Sequence, residues 1–188
     1  MQAAPRQSVR RRIALAFFLL GGLLCLNAAT LLRLSLSDMI DKSTVIVRGK
    51  VTGSYAAFQG PIIYTHYAIQ VSEQFKGAPA GTVDVVVPGG IANNLRQAFA
   101  GAPQFNTGDE FVFFLWTSQA GLTQVLGLTQ GLFQVTSGSA ADPLTTRSAS
   151  RELMLDTASG QPVKDQTLVM HLSDLRTQIR ARLVQGAH

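Results

Sequence analysis

Positive charge and apolar side chains are both concentrated at the N-terminus of this chain, which limits how much of it can belong to a folded domain. Residues 13–26 form an apolar run directly behind Arg10, Arg11 and Arg12. A cationic segment followed by an apolar one is typical of a secretory signal or an N-terminal membrane anchor. A core helix at the edge of a fold would need a polar face, and this run has none. We therefore predict that residues 1–30 direct export.

Two fates of this leader remain open. Residues 27–30 are small or polar, as around a cleavage site, although Leu26 is bulky where cleavage after Ala28 favours a small side chain. Without cleavage, residues 13–32 approach the roughly 20 residues that span a bilayer. The protein would then be periplasmic or extracellular, or exported and anchored to the cytoplasmic membrane.

The net charge of +5 at pH 7 belongs to the leader rather than to the domain. Five of the 16 lysines and arginines lie at or before residue 33 and all 11 acidic residues lie after it, which leaves 11 basic side chains against 11 acidic ones. Nucleic-acid binding is disfavoured, because it needs a basic surface on the domain itself. The single cysteine, Cys25, lies in the leader, so the domain is expected to rely on its core rather than on disulfides.

Alternating apolar and polar residues predict a mainly β domain after the leader. Strands are predicted at residues 44–51, 63–75 and 82–87. The run 111–116 is apolar on both faces, which predicts a central strand covered on two sides. Glycine-rich residues 121–135 are predicted to form a bulged strand or a pair of strands.

The remaining segments are predicted to be helices, loops and one weak hairpin. A short helix at 37–42 could be capped by Ser35 or Ser37, and a C-terminal helix at about 167–185 could be capped by Asp165. The other predictions are a short helix at 92–100, loops at 53–61 and 137–151, and a hairpin within 152–163.

Short strands separated by turns favour a small OB-like barrel or sandwich, with an N-terminal signal or anchor helix and a C-terminal amphipathic helix. The predicted divisions of the chain are the leader at 1–30, a β-barrel-like domain at 34–136, a loop and weak hairpin at 137–165, and the C-terminal helix at 166–188.

A series of short motifs resembles, in its order, a group of uncharacterised exported bacterial proteins. The resemblance covers about residues 36–136 and implies no activity. The matching motifs are VIVRGKV at 45–51, FKG at 75–77, VPGG at 87–90, GAPQF with GDE at 101–110, and GLTQGLF at 127–133.

The first half is also similar to netrin-like modules, which tissue inhibitors of metalloproteinases carry. That similarity implies an OB-type barrel. Those inhibitors depend on an N-terminal cysteine and on disulfides, which this chain lacks after its leader. Protease inhibition therefore does not follow from the resemblance alone.

No residue pattern predicts a catalytic, cofactor-binding or metal site. His66, His171 and His188 include no pair at ligand spacing; His66 and His171 are expected to be exposed, and the terminal His188 is expected to be disordered. Asp109 and Glu110 are adjacent at the start of a strand, so their side chains would point to opposite faces and could not act on one substrate atom.

Other conspicuous residues have ordinary structural interpretations. The glycine-rich segments 88–90 and 100–103 lack the ending of a phosphate loop and are predicted to be turns. Tyr67, Phe114 and Trp116 are expected in the core. Arg176, Arg180 and Arg182 are expected on a solvated face of the last helix.

The sequence favours a non-enzymatic binding or scaffolding module of the cell envelope. Loops 53–61, 88–94 and 101–108 are the predicted contact surfaces for an unidentified envelope or extracellular protein, because loops at one rim often carry binding. An inhibitor or accessory of an exported protease is the alternative. A hydrolase would require His66 to lie near a carboxylate in the fold.

Overall fold

The computed structural model describes residues 29–136 and 141–186. The predicted leader lies outside the described residues except for its last two positions, and so does His188. None of the helices in the described ranges is long and apolar enough to cross a membrane.

Strands predominate over helices in the described residues, which confirms the mainly β prediction. In chain order the elements are β1 (Thr30–Leu32), α1 (Leu36–Lys42), β2 (Val45–Gln59), β3 (Ile62–Lys76), β4 (Thr82–Pro88), β5 (Gly90–Ala92), β6 (Leu95–Gln97), β7 (Glu110–Thr117), β8 (Thr123–Val125), β9 (Leu132–Thr136), β10 (Leu144–Arg147), β11 (Leu153–Leu155), β12 (Pro162–Val163), β13 (Leu168–His171) and α2 (Leu172–Gln185).

One large sheet carries most of these strands. Its order is β13-β10-β9-β7-β2-β3-β4, and β8 pairs with β7 on the edge that β9 also uses. Because β4 and β13 are the two ends of this path, the sheet is not a closed barrel within the described residues. Two small sheets accompany it, in the orders β1-β11-β12 and β5-β6.

The central strand β7 is buried on both faces, as its apolar run predicts. Phe113 packs into one core and its neighbour Phe114 into the other, and both are fully buried. The core around Phe113, which we call the loop-side core, includes Phe105 from the segment before β7. The core around Phe114, the helix-side core, is covered by α1 and α2 through Met39, Leu175 and other apolar side chains.

The helix α1 begins as its sequence predicts. Ser35 accepts a hydrogen bond from the backbone of Asp38, and the Asp38 side chain accepts one from the backbone of Ser35. This reciprocal pair is a capping box, which satisfies backbone N–H groups that lack a partner inside the helix.

Two predictions around the second and fifth strands are wrong. Residues 53–59 are the outer half of β2 rather than a loop, and only a tight turn at Gly60 joins them to β3. Residues 92–97 turn through Asn93 and Asn94, which have positive φ angles of 48° and 62°, so this segment is the β5–β6 hairpin and not a helix. Asparagine tolerates that conformation well, which makes an Asn-Asn pair compatible with a hairpin turn.

The C-terminal quarter also differs from its prediction. Residues 144–147, expected in a loop, form β10 between β9 and β13 in the main sheet. Residues 168–171, expected in the last helix, form β13, and α2 starts only at Leu172. Asp165 does not cap that helix, because its carboxylate is hydrogen-bonded to Arg147 and to the backbone of Ser150. The hairpin expected within 152–163 is present as β11–β12.

Candidate functional site

Two hairpins lie side by side at one end of the molecule. The Gln97 side chain of β6 accepts a hydrogen bond from the backbone of Ile63 at 2.7 Å and donates one to the carbonyl of Pro61 at 2.9 Å. A Cβ atom at Gly90 would lie 2.6 Å from the hydroxyl of Thr65 and 3.1 Å from the Cβ of Ala56. Only glycine therefore lets β5 approach the β2–β3 hairpin so closely, and the two hairpins are held as a unit.

Large apolar side chains on these hairpins and on the segment after them are exposed to solvent. Ile91 and Leu95 are 62% and 60% exposed on the β5–β6 hairpin. We call this set the apolar end, and it consists of Phe58, Ile91, Leu95 and Phe99, together with Tyr55 on the other face of the β2–β3 hairpin, where its ring stacks on His66.

The apolar end is also poor in charge. Residues 51–72 contain no lysine, arginine, aspartate or glutamate, and residues 85–108 contain only Arg96. The arginine–carboxylate pairs of the described residues lie on other segments, such as Arg48–Glu110 and Arg147–Asp165, whereas His66 contacts Asp84 beside Tyr55. The side chains of the apolar end thus lie on segments that contain a single lysine, arginine, aspartate or glutamate.

The third predicted contact loop packs inward. Phe105 is buried in the loop-side core, with its ring centroid 4.9 Å from that of Tyr67 and 5.7 Å from that of Phe113. These edge-to-face contacts fix the segment 101–105 against the sheet.

Two clefts flank the fixed segment 101–105. A cleft of about 370 Å³ separates it from residues 146–152 on one side. A smaller one of about 270 Å³ separates it from the β5–β6 hairpin and residues 88–91 on the other. The structure thus brings the predicted loops 88–94 and 101–108 together around the smaller cleft.

His66 is neither exposed nor alone, in contrast to its prediction. Its Nδ1 atom lies 2.7 Å from the Asp84 carboxylate, and its ring stacks on that of Tyr55 with a centroid distance of 4.6 Å and an interplanar angle of 5°. Only 17% of the His66 side chain is exposed, whereas Asp84 is 55% exposed.

Sequence reasoning missed Asp84 as the partner of His66. In the β3–β4 pair His66 lies opposite Val86, so Asp84, two residues along β4, is its diagonal neighbour on the same face. The available signal was the single acidic residue in the valine-rich strand at 82–87, which points away from the loop-side core.

This Asp–His pair can orient a base. An aspartate that accepts a hydrogen bond from Nδ1–H holds the imidazole in the tautomer whose Nε2 lone pair can take a proton from a water or a hydroxyl group. No serine, threonine or tyrosine hydroxyl of the described residues is hydrogen-bonded to His66, so the pair has no adjoining nucleophile there.

The other candidate residues are kept apart. Asp109 accepts a hydrogen bond from the backbone of Asn106, while Glu110 pairs with Arg48 at 2.7 Å, so the two neighbours serve different partners as expected. His171 is exposed at the start of α2, 3.6 Å from Asp142. Within residues 29–136 and 141–186, no three His, Cys, Asp or Glu side chains come together in a group that could hold a metal ion.

Two of the three arginines on α2 are engaged rather than simply solvated. Arg176 donates two hydrogen bonds to Glu73, at 2.7 and 2.9 Å, and Arg182 donates to Asp41. These hydrogen bonds lower the pKa of the Glu73 and Asp41 carboxyl groups. They tie α2 to β3 and to α1, which argues against a role for Arg176 and Arg182 in binding a distant anion.

Of the three aromatic residues expected in the core, Tyr67 and Phe114 are buried there, whereas Trp116 is 43% exposed. Trp116 occupies the end of β7 beyond the region where β9 pairs, opposite Gln124 of the short strand β8. Trp116 is exposed because only the short strand β8, and not β9, accompanies this end of β7.

The fold and site define a mainly β protein with two cores and an apolar end that is poor in charge. Comparison of the chain with protein family models, with curated proteins and with solved structures finds no match.

Proposed function

We propose that this protein is a non-enzymatic binding module of the cell envelope that contacts a protein partner through the apolar end. The observation that carries the proposal is the exposure of five large apolar side chains, among them Ile91 and Leu95, on segments 51–72 and 85–108, which together contain a single lysine, arginine, aspartate or glutamate, namely Arg96. Contiguous exposed apolar patches mark interaction sites, and the cores of protein interfaces are depleted in charge and enriched in aromatic residues.

The hairpins also satisfy a second requirement of a binding surface, because they are preorganised. Gln97 and the close approach at Gly90 lock β5–β6 onto β2–β3, and Phe105 fixes the adjoining segment. A surface that is already ordered loses less conformational entropy when a partner binds.

The predicted leader supports the envelope location, since a cationic segment followed by an apolar run precedes a domain of balanced charge. We further propose that β2, β3, β4, β7 and β8 curve around the loop-side core as an open OB-like barrel. In that arrangement the hairpin ends form a rim, where OB-type barrels commonly bind.

The proposal is tested by capture from the native envelope. A photo-reactive amino acid at Leu95 should crosslink a specific partner, and Ile91→Asp should weaken that capture at least about tenfold, which corresponds to about 1.4 kcal/mol. The matched control is Val184→Asp, which places the same charge at an exposed valine of α2. Equal capture by the two variants would refute a role for the apolar end.

One further assay tests whether the protein partner is an exported protease. The resemblance to netrin-like modules makes an exported protease one class to examine. Saturable inhibition of a protease by the wild type but not by Ile91→Asp would identify that class, and no binding across a panel would remove it.

A hydrolase is the second candidate, favoured by the 2.7 Å contact between His66 and Asp84. Because the pair lacks an adjoining hydroxyl nucleophile in the described residues, the reaction would be attack by a water that Nε2 activates. Hydrolysis of small esters that is lost in both His66→Gln and Asp84→Asn, but retained in Ile91→Asp, would support this function. Activity that survives His66→Gln would exclude it.

A further inference from the structure

The backbone that follows the leader is held to the domain at every residue from Ala29 to Leu34. Thr30–Leu32 pair in parallel with Leu153–Leu155, and the backbone N–H of Arg33 donates to the carbonyl of Leu155 at 2.8 Å. The buried Gln130 side chain then bonds Leu32 and Leu34 on either side. The backbone from Ala29 onward is therefore part of the folded domain, and in the sequence Asn27 and Ala28 separate it from the apolar run that ends at Leu26.

The carboxylate of Glu152 contacts the backbone at Ala29. The backbone nitrogen of Ala29 lies 3.0 Å from Oε2 of Glu152. The other carboxylate oxygen packs against Gly101, where a Cβ atom would lie 3.0 Å from it. Glu152 is half-buried, and no lysine, arginine or histidine of the described ranges lies within ion-pair distance of it.

A half-buried carboxylate without a cation is costly, and a single backbone amide satisfies little of its charge. An α-ammonium group at Ala29 would supply both a full positive charge and a charge-assisted hydrogen bond at the observed position. We propose that the exported chain is cut between Ala28 and Ala29, and that Glu152 binds the new N-terminus. This inference rests on the export that the proposed function includes.

The residues on both sides of the Ala28–Ala29 bond support this position of the cut. Ala28 is a small residue immediately before it, as cleavage of a secretory signal requires, although Leu26 is bulkier than usual two positions earlier. A cut further along would remove Ala29 or part of the paired strand β1 and leave Glu152 without a partner. In the reaction water adds its hydroxyl to the carbonyl carbon of Ala28 and the C–N bond breaks. The Ala29 nitrogen takes the other proton of the water and the proton of the new carboxyl group, which leaves a carboxylate on Ala28 and an ammonium on Ala29.

The first test is the mass and N-terminal sequence of the full chain expressed in an export-competent bacterium. The expected product begins at Ala29, and Ala28→Leu should block that product. An N-terminus at another residue, or an uncut protein that external protease can reach, would overturn the proposed cut while leaving export intact. An uncut chain found only in the cytosol would overturn export and the cut together.

The second test addresses Glu152 in the processed protein. A carboxylate that stabilises the ammonium form slows acylation of the α-amine, because only the neutral amine reacts. Glu152→Gln should therefore raise the rate of acetylation of the N-terminus by limiting acetic anhydride several-fold. The control Asp174→Asn removes a carboxylate from the surface of α2 and should leave the rate unchanged. An unchanged rate in Glu152→Gln, in a variant whose circular dichroism matches the wild type, would overturn the pairing.

Discussion

At the scale of single residues, two glycines in the same strand differ sharply in what surrounds them. A Cβ atom at Gly49 would lie 2.6 Å from Ile69 and 2.7 Å from the backbone oxygen of Gln70, whereas one at Gly53 would meet nothing within 4 Å. Gly49 belongs to the VRGKV motif of the sequence. Its role is to let β2 approach β3 closely.

We predict that Gly49→Ala lowers the free energy of unfolding by about 1–3 kcal/mol, because the backbone of β3 must shift to admit the methyl group. Gly53→Ala, the matched control, should leave the free energy of unfolding unchanged or raise it by up to about 1 kcal/mol, because alanine restricts the unfolded chain. Urea denaturation of both variants measures the difference, and a Gly49 variant as stable as the Gly53 variant would contradict the close-packing argument.

A second residue-scale feature is the buried pair of Arg147 and Asp165, whose side chains are 4% and 1% exposed. Burial raises the pKa of the Asp165 carboxyl, but hydrogen bonds from Ser150, Arg147 and Gln166 outweigh burial and lower that pKa overall. Two nitrogens of the guanidinium, Nε and Nη1, have no hydrogen-bond partner among the described residues, so Arg147 depends strongly on this carboxylate.

We expect Asp165→Asn to lower the free energy of unfolding by about 3 kcal/mol, because it leaves the arginine charge buried without its counter-ion. Asp174→Asn, at an exposed position of α2, should change the same quantity by no more than about 0.5 kcal/mol. The measurement is chemical denaturation at neutral pH. Similar losses in the two variants would show that the pair does not stabilise the fold.

At the scale of elements, the periodicity of apolar residues identified strands with strict alternation. It failed where the same residues fit both a helical and a strand period. β3 and β4 were predicted nearly to the residue because apolar side chains at every second position fill the loop-side core, and β7 was predicted from its unbroken apolar run. Leu95 and Phe99 lie four residues apart and suggested a helix, but the left-handed Asn93–Asn94 turn decides the segment. Leu168 fits the spacing of α2 equally well, and its place in β13 is set by pairing with β10, which sequence alone does not reveal.

Helix α2 is joined to β3 by the two hydrogen bonds that Arg176 donates to Glu73. Glu73→Gln should lower the free energy of unfolding by about 1 kcal/mol at neutral pH, since both side chains are partly exposed. The hydrogen bond from Arg176 lowers the pKa of Glu73 in the folded protein. A carboxyl group with a lowered folded pKa stabilises the protein above its unfolded pKa of about 4.3, and that contribution is lost as the pH falls through the folded pKa.

The wild type should therefore have a higher free energy of unfolding than Glu73→Gln at neutral pH. This difference should become smaller as the pH falls below the pKa of Glu73 in the unfolded chain. Urea titrations at several pH values measure it directly. Glu110→Gln, which removes the partner of Arg48 on the other side of β2, serves as a comparison that leaves α2 untouched. A Glu73 effect that is independent of pH would mean that packing, not charge, accounts for it.

At the scale of the whole molecule, features set by neighbouring residues could be predicted from the sequence, whereas contacts between segments that are far apart in the chain could not. The double-sided burial of β7 could be inferred from its unbroken apolar run, but the pairing of β1 with β11 joins segments more than 120 residues apart and leaves no periodic signal. The same holds for the candidate site. The predicted loops 88–94 and 101–108 do meet, whereas the contact of His66 with Asp84 depends on the register of β3 against β4.

The two cores share β7, so we expect the described domain to unfold as one unit despite having hydrophobic clusters on both faces of its sheet. Phe113→Leu perturbs the loop-side core and Phe114→Leu the helix-side core, and each should lower the free energy of unfolding by about 1–2 kcal/mol in a single transition. Fluorescence of Trp116, the only tryptophan, reports on the end of β7, and far-ultraviolet circular dichroism reports on the whole sheet. The two signals should coincide in both variants, because a strand that supplies side chains to both cores cannot leave one without disrupting the other. Separate transitions in Phe114→Leu would show instead that the helical layer detaches on its own.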